Sequence, residues 1–338
     1  MTSSRISYFD YLNVFSCISI IALHCNNMFH SYSHDSLWQV AAVVQVLFYC
    51  AVPVFFMLSG ATLLKYPERY STKDFYKKRI KKAVLPYLFF TVVFFLLKIA
   101  ATYLKNEAVT YGPLDLLRML SDGSAPYSNF WFFIPLFMLY LFMPLFAYIA
   151  AYASKKKLLF FLGVMVFFAG IYPIAAHFLG LGTPSMPIGG YALYLFLGYF
   201  LHTYDFEKDN RILTTVCLLA AVAFIVRYIL LVQFADHEIP LLRSYFGLYA
   251  IIPSMAIFML IKRFLNNQTE GVATRLSALS FGVFLIQAFV IVIFETVAER
   301  LGLNGIWMQT VGIVIVYLSC CVIVSAVRKI SFLKWMFP

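Results

Sequence analysis

Residues 75–104 read FYKKRIKKAVLPYLFFTVVFFLLKIAATYL. Basic side chains crowd the start of this stretch, and from Ala83 to Leu104 the only charged side chain is Lys98. As an α-helix, an apolar run of this length rises about 30 Å, which matches the hydrocarbon core of a bilayer. The stretch therefore predicts a transmembrane helix whose basic end faces the cytoplasm.

The same alternation of apolar runs and short polar segments continues along the whole 338-residue chain. The chain is 62% hydrophobic and 12% charged, whereas soluble domains carry roughly 25% charged residues. We therefore predict an all-α, polytopic integral membrane bundle of about ten transmembrane helices. It forms a single domain over residues 1–338, without a soluble domain. The predicted spans are residues 8–30, 39–64, 82–104, 130–152, 158–178, 189–204, 211–233, 243–264, 276–298 and 306–328.

The net charge of +11 could suggest a nucleic-acid partner, but its distribution argues against one. Twenty Lys and Arg side chains fall on one side of the predicted spans and four on the other. This asymmetry is typical of topology determinants and places both termini in the cytoplasm. The first span begins close to the N-terminus and lacks a cleavage-site pattern, so we read it as a retained helix.

The six cysteines lie within or at the edges of apolar runs, and none shows CxxC spacing. This pattern supports neither a zinc site nor a disulfide framework. No cluster of His, Asp or Glu has the spacing of metal ligands, so we predict no metal.

Charged and titratable residues inside spans are rare and often functional, because burying a charge in hydrocarbon is costly. In the first span, Asn13 and His24 are eleven residues apart, which places them on one helix face about 16 Å apart. Asp10 lies near the same face. An imidazole titrates near neutrality and can take a proton from a hydroxyl. His24 is therefore either a general base or a histidine that only hydrogen-bonds a neighbouring helix.

Further polar candidates lie at both membrane surfaces. Lys98, Arg227 and Glu295 all fall in the predicted outer half, where they either pair with one another or line a cavity open to the exterior. Trp131 lies at a span end, where aromatic residues are usually interfacial anchors. The basic run that contains Lys78, Arg79 and Lys82 either binds phosphate groups of a nucleotide-bearing substrate or serves only as a topology signal near lipid headgroups.

Several blocks of the sequence, in this order and spacing, resemble the acyltransferase family 3 membrane proteins. The resemblance covers nearly the whole chain. Its blocks are FDYLNVFSCISIIALH from Phe9, VPVFFMLSGATLL from Val52, FYKKRIKKAVLPY from Phe75, NFWFFIPLFMLYLFMP from Asn129, YALYLFLGYFL from Tyr191 and LSALSFGVFLIQ from Leu276.

The resemblance implies an enzyme that moves an acyl group, often acetyl, from cytoplasmic acyl-CoA to a hydroxyl of a cell-envelope glycan or lipid-linked acceptor. It also implies a multi-pass protein of the inner (plasma) membrane. His24 matches the essential histidine of the family, and Arg79 and Lys82 match its Arg-x-x-Arg pair. In this sequence Asn13, Asn129 and Gln287 stand where the family usually has an Arg, a His and a His.

We accordingly predict three groups of site residues. The catalytic group is His24, Asp10 and Asn13, with Asp10 orienting polar groups. The acyl-CoA group is Arg79, Lys82 and Lys78, and the acceptor group is Arg227, Glu295, Gln287 and Trp131. The amides of Asn13 and Gln287 can still donate hydrogen bonds to a developing oxyanion.

Two other functions fit the same residues. The first is a transporter or flippase of a small polar solute, which intramembrane charges and prolines within spans fit equally well. The second is an inactive structural partner. The expected partners are the lipid bilayer, acyl-CoA and the acceptor, without nucleic acid, and a homo-oligomer is compatible with the sequence.

Overall fold

The computed structural model describes residues 5–30, 36–108, 110–182, 189–234, 240–266, 271–303, 305–331 and 333–338. These residues form helices and no strand, which confirms the all-α prediction. The α-helices are α1 (Ser7–His24), α2 (Ser36–Phe48), α3 (Ala51–Leu63), α4 (Thr72–Arg79), α5 (Leu85–Leu104), α6 (Pro113–Asp122), α7 (Phe133–Tyr152), α8 (Lys155–Val166), α9 (Tyr172–Leu179), α10 (Gly189–Thr203), α11 (Asn210–Gln233), α12 (Pro240–Arg243), α13 (Leu248–Leu265), α14 (Val272–Arg300), α15 (Gly305–Trp307) and α16 (Ile313–Val327).

Several of these helices join end to end through single π-helical turns. Ile80–Val84 joins α4 to α5, Phe167–Ile171 joins α8 to α9, and Met308–Gly312 joins α15 to α16. The π turn after α4 adds a residue to the helix and changes the direction of the side chains around it. That turn lies within the basic run: it begins directly after Arg79 and contains Lys82.

Eight continuous helical segments in the described ranges are long and apolar enough to cross a membrane. They confirm a polytopic membrane bundle. Two of the ten predicted spans are not among the eight. One is α1, which carries Asp10, Asn13 and His24 among its 18 residues, and the other is α10, which has only 15 residues. The count of ten and the cytoplasmic termini stay predictions.

Exposure separates inner helices from outer ones. Along α10 nearly every described side chain is buried, as expected of a helix that is apolar all round. On α11, by contrast, large apolar side chains such as Leu218, Val222 and Ile229 are about half exposed. An exposed apolar belt of this kind suits contact with lipid chains. The polar helix α1 and the short helix α10 therefore lie inside a ring of lipid-facing helices.

Two glycines allow α3 and α10 to pack with their backbones in contact. A Cβ added to Gly60 would lie 1.8 Å from the carbonyl oxygen of Leu195, and one added to Gly198 would lie 1.9 Å from that of Met57. The two contacts are reciprocal, because each helix offers its glycine to the other's backbone. Small residues at helix contacts are a common packing device in membranes.

A buried ion-pair cluster lies at the end of the bundle where α1 begins. Lys262 on α13 is only 5% exposed and contacts Asp205 and Glu207, each at 3.1 Å. Hydrogen bonds from Lys208 and Lys262 lower the pKa of the Asp205 carboxyl below its ordinary value. Lys262 is one of the twenty basic side chains that the charge count places on the cytoplasmic side, and the structure gives it a buried structural role.

Candidate functional site

The start of α1 is fixed to α14 by polar contacts. The Asp10 carboxylate accepts two hydrogen bonds of 2.8 Å from the Arg5 guanidinium and one of 3.1 Å from the Thr274 hydroxyl. The Asn13 amide donates to the Ser277 carbonyl at 3.1 Å and to its hydroxyl at 3.0 Å. The polar face predicted from the spacing of Asp10 and Asn13 therefore faces α14.

A cavity of about 320 Å³ opens beside this polar contact. We call it the inner cavity, because the predicted orientation places it on the cytoplasmic side. It unites the polar face of α1 with the basic run, since Asp10, Asn13, Arg79 and Lys82 all line it. Its other lining residues are Phe9, Phe55, Leu58, Ser59, Thr62, Leu63, Ala83, Tyr140, Ser277, Phe281 and Pro338.

Arg79 ends α4, and its guanidinium lies 5.7 Å from the ring centre of Phe75 and 5.6 Å from that of Tyr140. Its Nε is buried and has no hydrogen-bond partner in the described part of the chain. A buried donor without an acceptor is uncommon in proteins and calls for an explanation. The aromatic contacts leave this donor unsatisfied, while the Arg79 side chain itself lines the inner cavity.

The two lysines predicted beside Arg79 differ in position. Lys82, within the π turn, is exposed and lines the inner cavity. The Lys78 ammonium lies instead over the ring of Tyr70, 3.6 Å from its centre, and Lys78 is not part of the cavity wall. The structure thus brings two of the three predicted acyl-CoA residues together, and a role for Lys78 at a phosphate stays a prediction.

His24 is the last residue of α1 and does not line the inner cavity. It lies beside Gln287 of α14, close enough for the two side chains to interact. No well-directed hydrogen bond joins them, however, since His24 Nδ1 and both polar atoms of the Gln287 amide are buried without a partner in the described residues. Gln287 is 1% exposed. The imidazole and the amide are thus packed together in the interior with unused hydrogen-bonding capacity.

Beyond His24, a second cavity of about 180 Å³ lies between the ends of α1 and α14. We call it the outer pocket. The Glu295 carboxylate lines it and accepts a hydrogen bond of 2.6 Å from the Asn27 amide. Glu299, one turn later, also lines it. A cavity lined by Glu295 was one of the two predicted alternatives, but its other walls were not predicted, because residues 25–28 and 295–308 are far apart in the sequence.

Arg227 of α11 is 2% exposed and lies between two aromatic rings, 3.8 Å from the centre of Tyr49 and 4.5 Å from that of Tyr249. Its guanidinium also donates to the Leu242 carbonyl at 3.1 Å. Cation–π contacts of this kind partly replace a carboxylate partner.

Trp131 belongs to the same aromatic column. Its ring stacks on Tyr245 at 5.7 Å, and Tyr245 stacks on Tyr49 at 4.4 Å. The predicted acceptor residues Trp131 and Arg227 are therefore connected through two tyrosines, while Glu295 and Gln287 lie elsewhere. Among the described residues, no ion pair joins Lys98, Arg227 or Glu295 to one another.

Several residues of the inner cavity escaped the sequence analysis, among them Thr62, Tyr140 and Ser277. Ser277 offered a signal, since it is the second residue of the block from Leu276, which ends at Gln287 on the same helix. Over the described ranges, no group of three or more His, Cys, Asp or Glu side chains could hold a metal ion.

No curated protein and no solved structure matches the chain. A family model described as an acyltransferase domain matches residues 6–326, which is nearly the whole chain. The match includes every predicted site residue and, apart from Pro338, every residue that lines the two cavities. The protein therefore belongs to acyltransferase family 3 and is a multi-pass membrane acyltransferase.

Proposed function

We propose that the enzyme transfers an acyl group, acetyl in the simplest case, from cytoplasmic acyl-CoA to a hydroxyl of a cell-envelope glycan or lipid-linked acceptor. In this proposal it works in the plasma membrane, with His24 as the general base. The observation that carries the proposal is the inner cavity, which joins two cationic side chains to the helix that ends at His24.

Donor binding follows from the charges of the inner cavity. The Arg79 guanidinium presents several N–H groups in a planar fork that suits phosphate oxygens, and the Lys82 ammonium adds a second positive charge. Asn13 and Ser277 provide further polar groups in the wall of the same cavity. From there the thioester arm of the donor runs along α1 towards His24, about 16 Å beyond Asn13.

The chemical step needs one base and one donor to the oxyanion. The imidazole of His24 takes the proton of the acceptor hydroxyl while the hydroxyl oxygen attacks the thioester carbonyl. The Gln287 amide N–H donates a hydrogen bond to the oxyanion that forms. The C–S bond then breaks, the new ester C–O bond remains, and the imidazolium returns its proton to the CoA thiolate.

The proposal is tested with the purified protein in liposomes, supplied with labelled acetyl-CoA and cell-envelope extract. We expect free CoA to appear together with labelled ester in the extract. Uptake of a polar solute into the liposomes without loss of thioester would instead favour a transporter and overturn the proposal.

Neutralising the cations of the inner cavity is expected to weaken donor binding. Each of Arg79→Gln and Lys82→Gln should raise the KM for acyl-CoA by about tenfold, which corresponds to 1.4 kcal/mol. Their kcat should change little, because neither side chain is near His24. Steady-state kinetics of CoA release measure both quantities. Lys73→Gln, an exposed position on α4 away from the cavity, is the matched control. An unchanged KM in both cavity variants would leave the basic run as a topology signal only.

Replacing Gln287 by leucine is expected to separate stability from activity. The buried amide has no partner for either polar atom, and such groups cost about 1–3 kcal/mol. Gln287→Leu should therefore melt at the wild-type temperature or higher in detergent. Because oxyanion donors contribute about 10²- to 10³-fold to kcat, the same variant should lose that much activity. A variant that melts lower and keeps its kcat would assign Gln287 a purely structural role.

A further inference from the structure

His24 is the last residue of α1, and the end of a helix is held less firmly than its middle. The last carbonyl groups of a helix lack partners within the helix, so the final turn frays unless other contacts hold it. A general base has to keep its position to within a fraction of an ångström to take a proton efficiently. The contacts that fix this end of α1 therefore bear directly on the proposed chemical step.

Asn26, two residues after His24, is fully buried and connects three parts of the bundle. Its amide N–H donates to the Ala41 carbonyl of α2 at 2.8 Å, and its Oδ1 accepts a hydrogen bond of 2.9 Å from Gln309. Gln309 belongs to the π turn that joins α15 to α16. Because a backbone carbonyl can only accept, the bond to Ala41 fixes which way the Asn26 amide points, and with it the direction of the Gln309 amide.

The chain after His24 is thus held by helices on more than one side. His24 itself lies beside Gln287 of α14, whereas Asn26 is bound to α2 and to the π turn. The next residue, Asn27, donates to the Glu295 carboxylate of α14 at 2.6 Å. The contact of Asn26 is the buried one of the two, so water does not compete with it.

The Gln309 side chain satisfies this contact at a cost in stability. It is 3% exposed, and its Oε1 is buried without a partner in the described residues. An apolar side chain of the same length would avoid burying that oxygen. The extra residue of a π turn redirects the side chains around it, and such turns are frequent at functional sites. Resting on His24 as the proposed base, we propose that Gln309 and Asn26 are positioning residues that hold His24 beside Gln287 for proton transfer.

Gln309→Met tests this inference, because methionine keeps the length of the side chain and cannot donate to Asn26. The variant exchanges one unpartnered buried oxygen, Oε1 of Gln309, for another, Oδ1 of Asn26, so it should melt near the wild-type temperature. We expect kcat for acyl transfer to fall by about tenfold to hundredfold, as small displacements of a catalytic group do. The KM for acyl-CoA should not change, since neither residue lines the inner cavity. Thr310→Val is the matched control, because Thr310 lies in the same turn but is exposed and bonds only the Ile306 carbonyl.

A double-mutant cycle with His24→Ala separates positioning from general stability. Free imidazole added to His24→Ala is not held by α1, so Gln309→Met should change the imidazole-dependent rate by less than about twofold in that background. A purely structural role would lower the rate in both backgrounds alike. Should Gln309→Met fail to fold, Gln309→Asn, whose amide is one methylene too short to reach Asn26, takes its place in the cycle.

Three results would overturn the inference: a wild-type kcat in the Gln309 variant, an equal loss of rate with and without His24, or a lowered melting temperature with an unchanged kcat of the folded protein. A wild-type Gln309 variant alongside an impaired His24→Ala would reject the positioning role and keep the proposed base. Full activity of His24→Ala would instead reject the base, and the role of Gln309 with it.

Discussion

His24→Ala is expected to lower the kcat of acyl transfer by about 10²- to 10⁴-fold, the usual contribution of a general base. The KM for acyl-CoA should stay near the wild-type value, because the inner cavity, the proposed donor site, does not include His24. The reason for the large loss is chemical. A hydroxyl attacks a thioester poorly while it keeps its proton, and no other imidazole is available on this face of α1. CoA release by the purified protein, measured with and without acceptor, gives both constants.

Two further measurements separate a base from a packing residue. His177→Ala is the matched control, because His177 is exposed on α9 and lines neither cavity. Added imidazole should restore part of the activity of His24→Ala by entering the space that the side chain leaves. A His24→Ala variant that melts like wild type and keeps full transfer activity would show that the base is elsewhere.

The sequence alone predicted the apolar helices well, because hydrophobic length is a local property. The prediction of residues 130–152 agrees with the helical stretch from Phe130 to Tyr152, and the span 82–104 ends where α5 ends. The predicted span 39–64 is divided in the structure by a turn at Tyr49 and Cys50. Apolarity continues through that turn, so hydropathy could not locate it.

The partners of polar residues were harder to predict, because they depend on how distant helices pack. Helix periodicity placed Asp10 and Asn13 on one face, but not the α14 residues that they contact. Lys262 was counted among the basic side chains of the cytoplasmic side, but its carboxylate partners, more than fifty residues earlier, could not be identified from the sequence. Arg227 was expected either to pair with another charged residue or to line an outer cavity, and the structure gives it tyrosine rings from two separate segments.

The motif blocks carried information on packing as well as on chemistry. The block from Val52 contains Gly60, and the block from Tyr191 contains Gly198. In the structure these two glycines form the reciprocal backbone contact between α3 and α10. Ser59, next to Gly60, lines the inner cavity. The packing of α3 on α10 therefore helps to set the position of one cavity wall.

Gly60→Ala and Gly198→Ala are each expected to prevent folding of the bundle. The added methyl carbon would lie within 2 Å of a backbone carbonyl oxygen on the facing helix, where no side chain can rotate away. The helices α3 and α10 would have to separate where their backbones touch, at a cost above about 3 kcal/mol, the usual upper range for overpacking. Size-exclusion chromatography in detergent should show aggregated or absent protein.

Gly163→Ala is the matched control for both glycine variants, because a Cβ at Gly163 on α8 meets nothing within 4 Å. This variant should elute as a single species and melt like wild type. Any fraction of Gly60→Ala that still folds should bind acyl-CoA less tightly, since a displaced α3 moves Ser59 and Thr62 in the wall of the inner cavity. Normal folding and normal donor binding in both Gly60→Ala and Gly198→Ala would contradict the direct backbone contact, and with it the placement of α10 at the centre of the bundle.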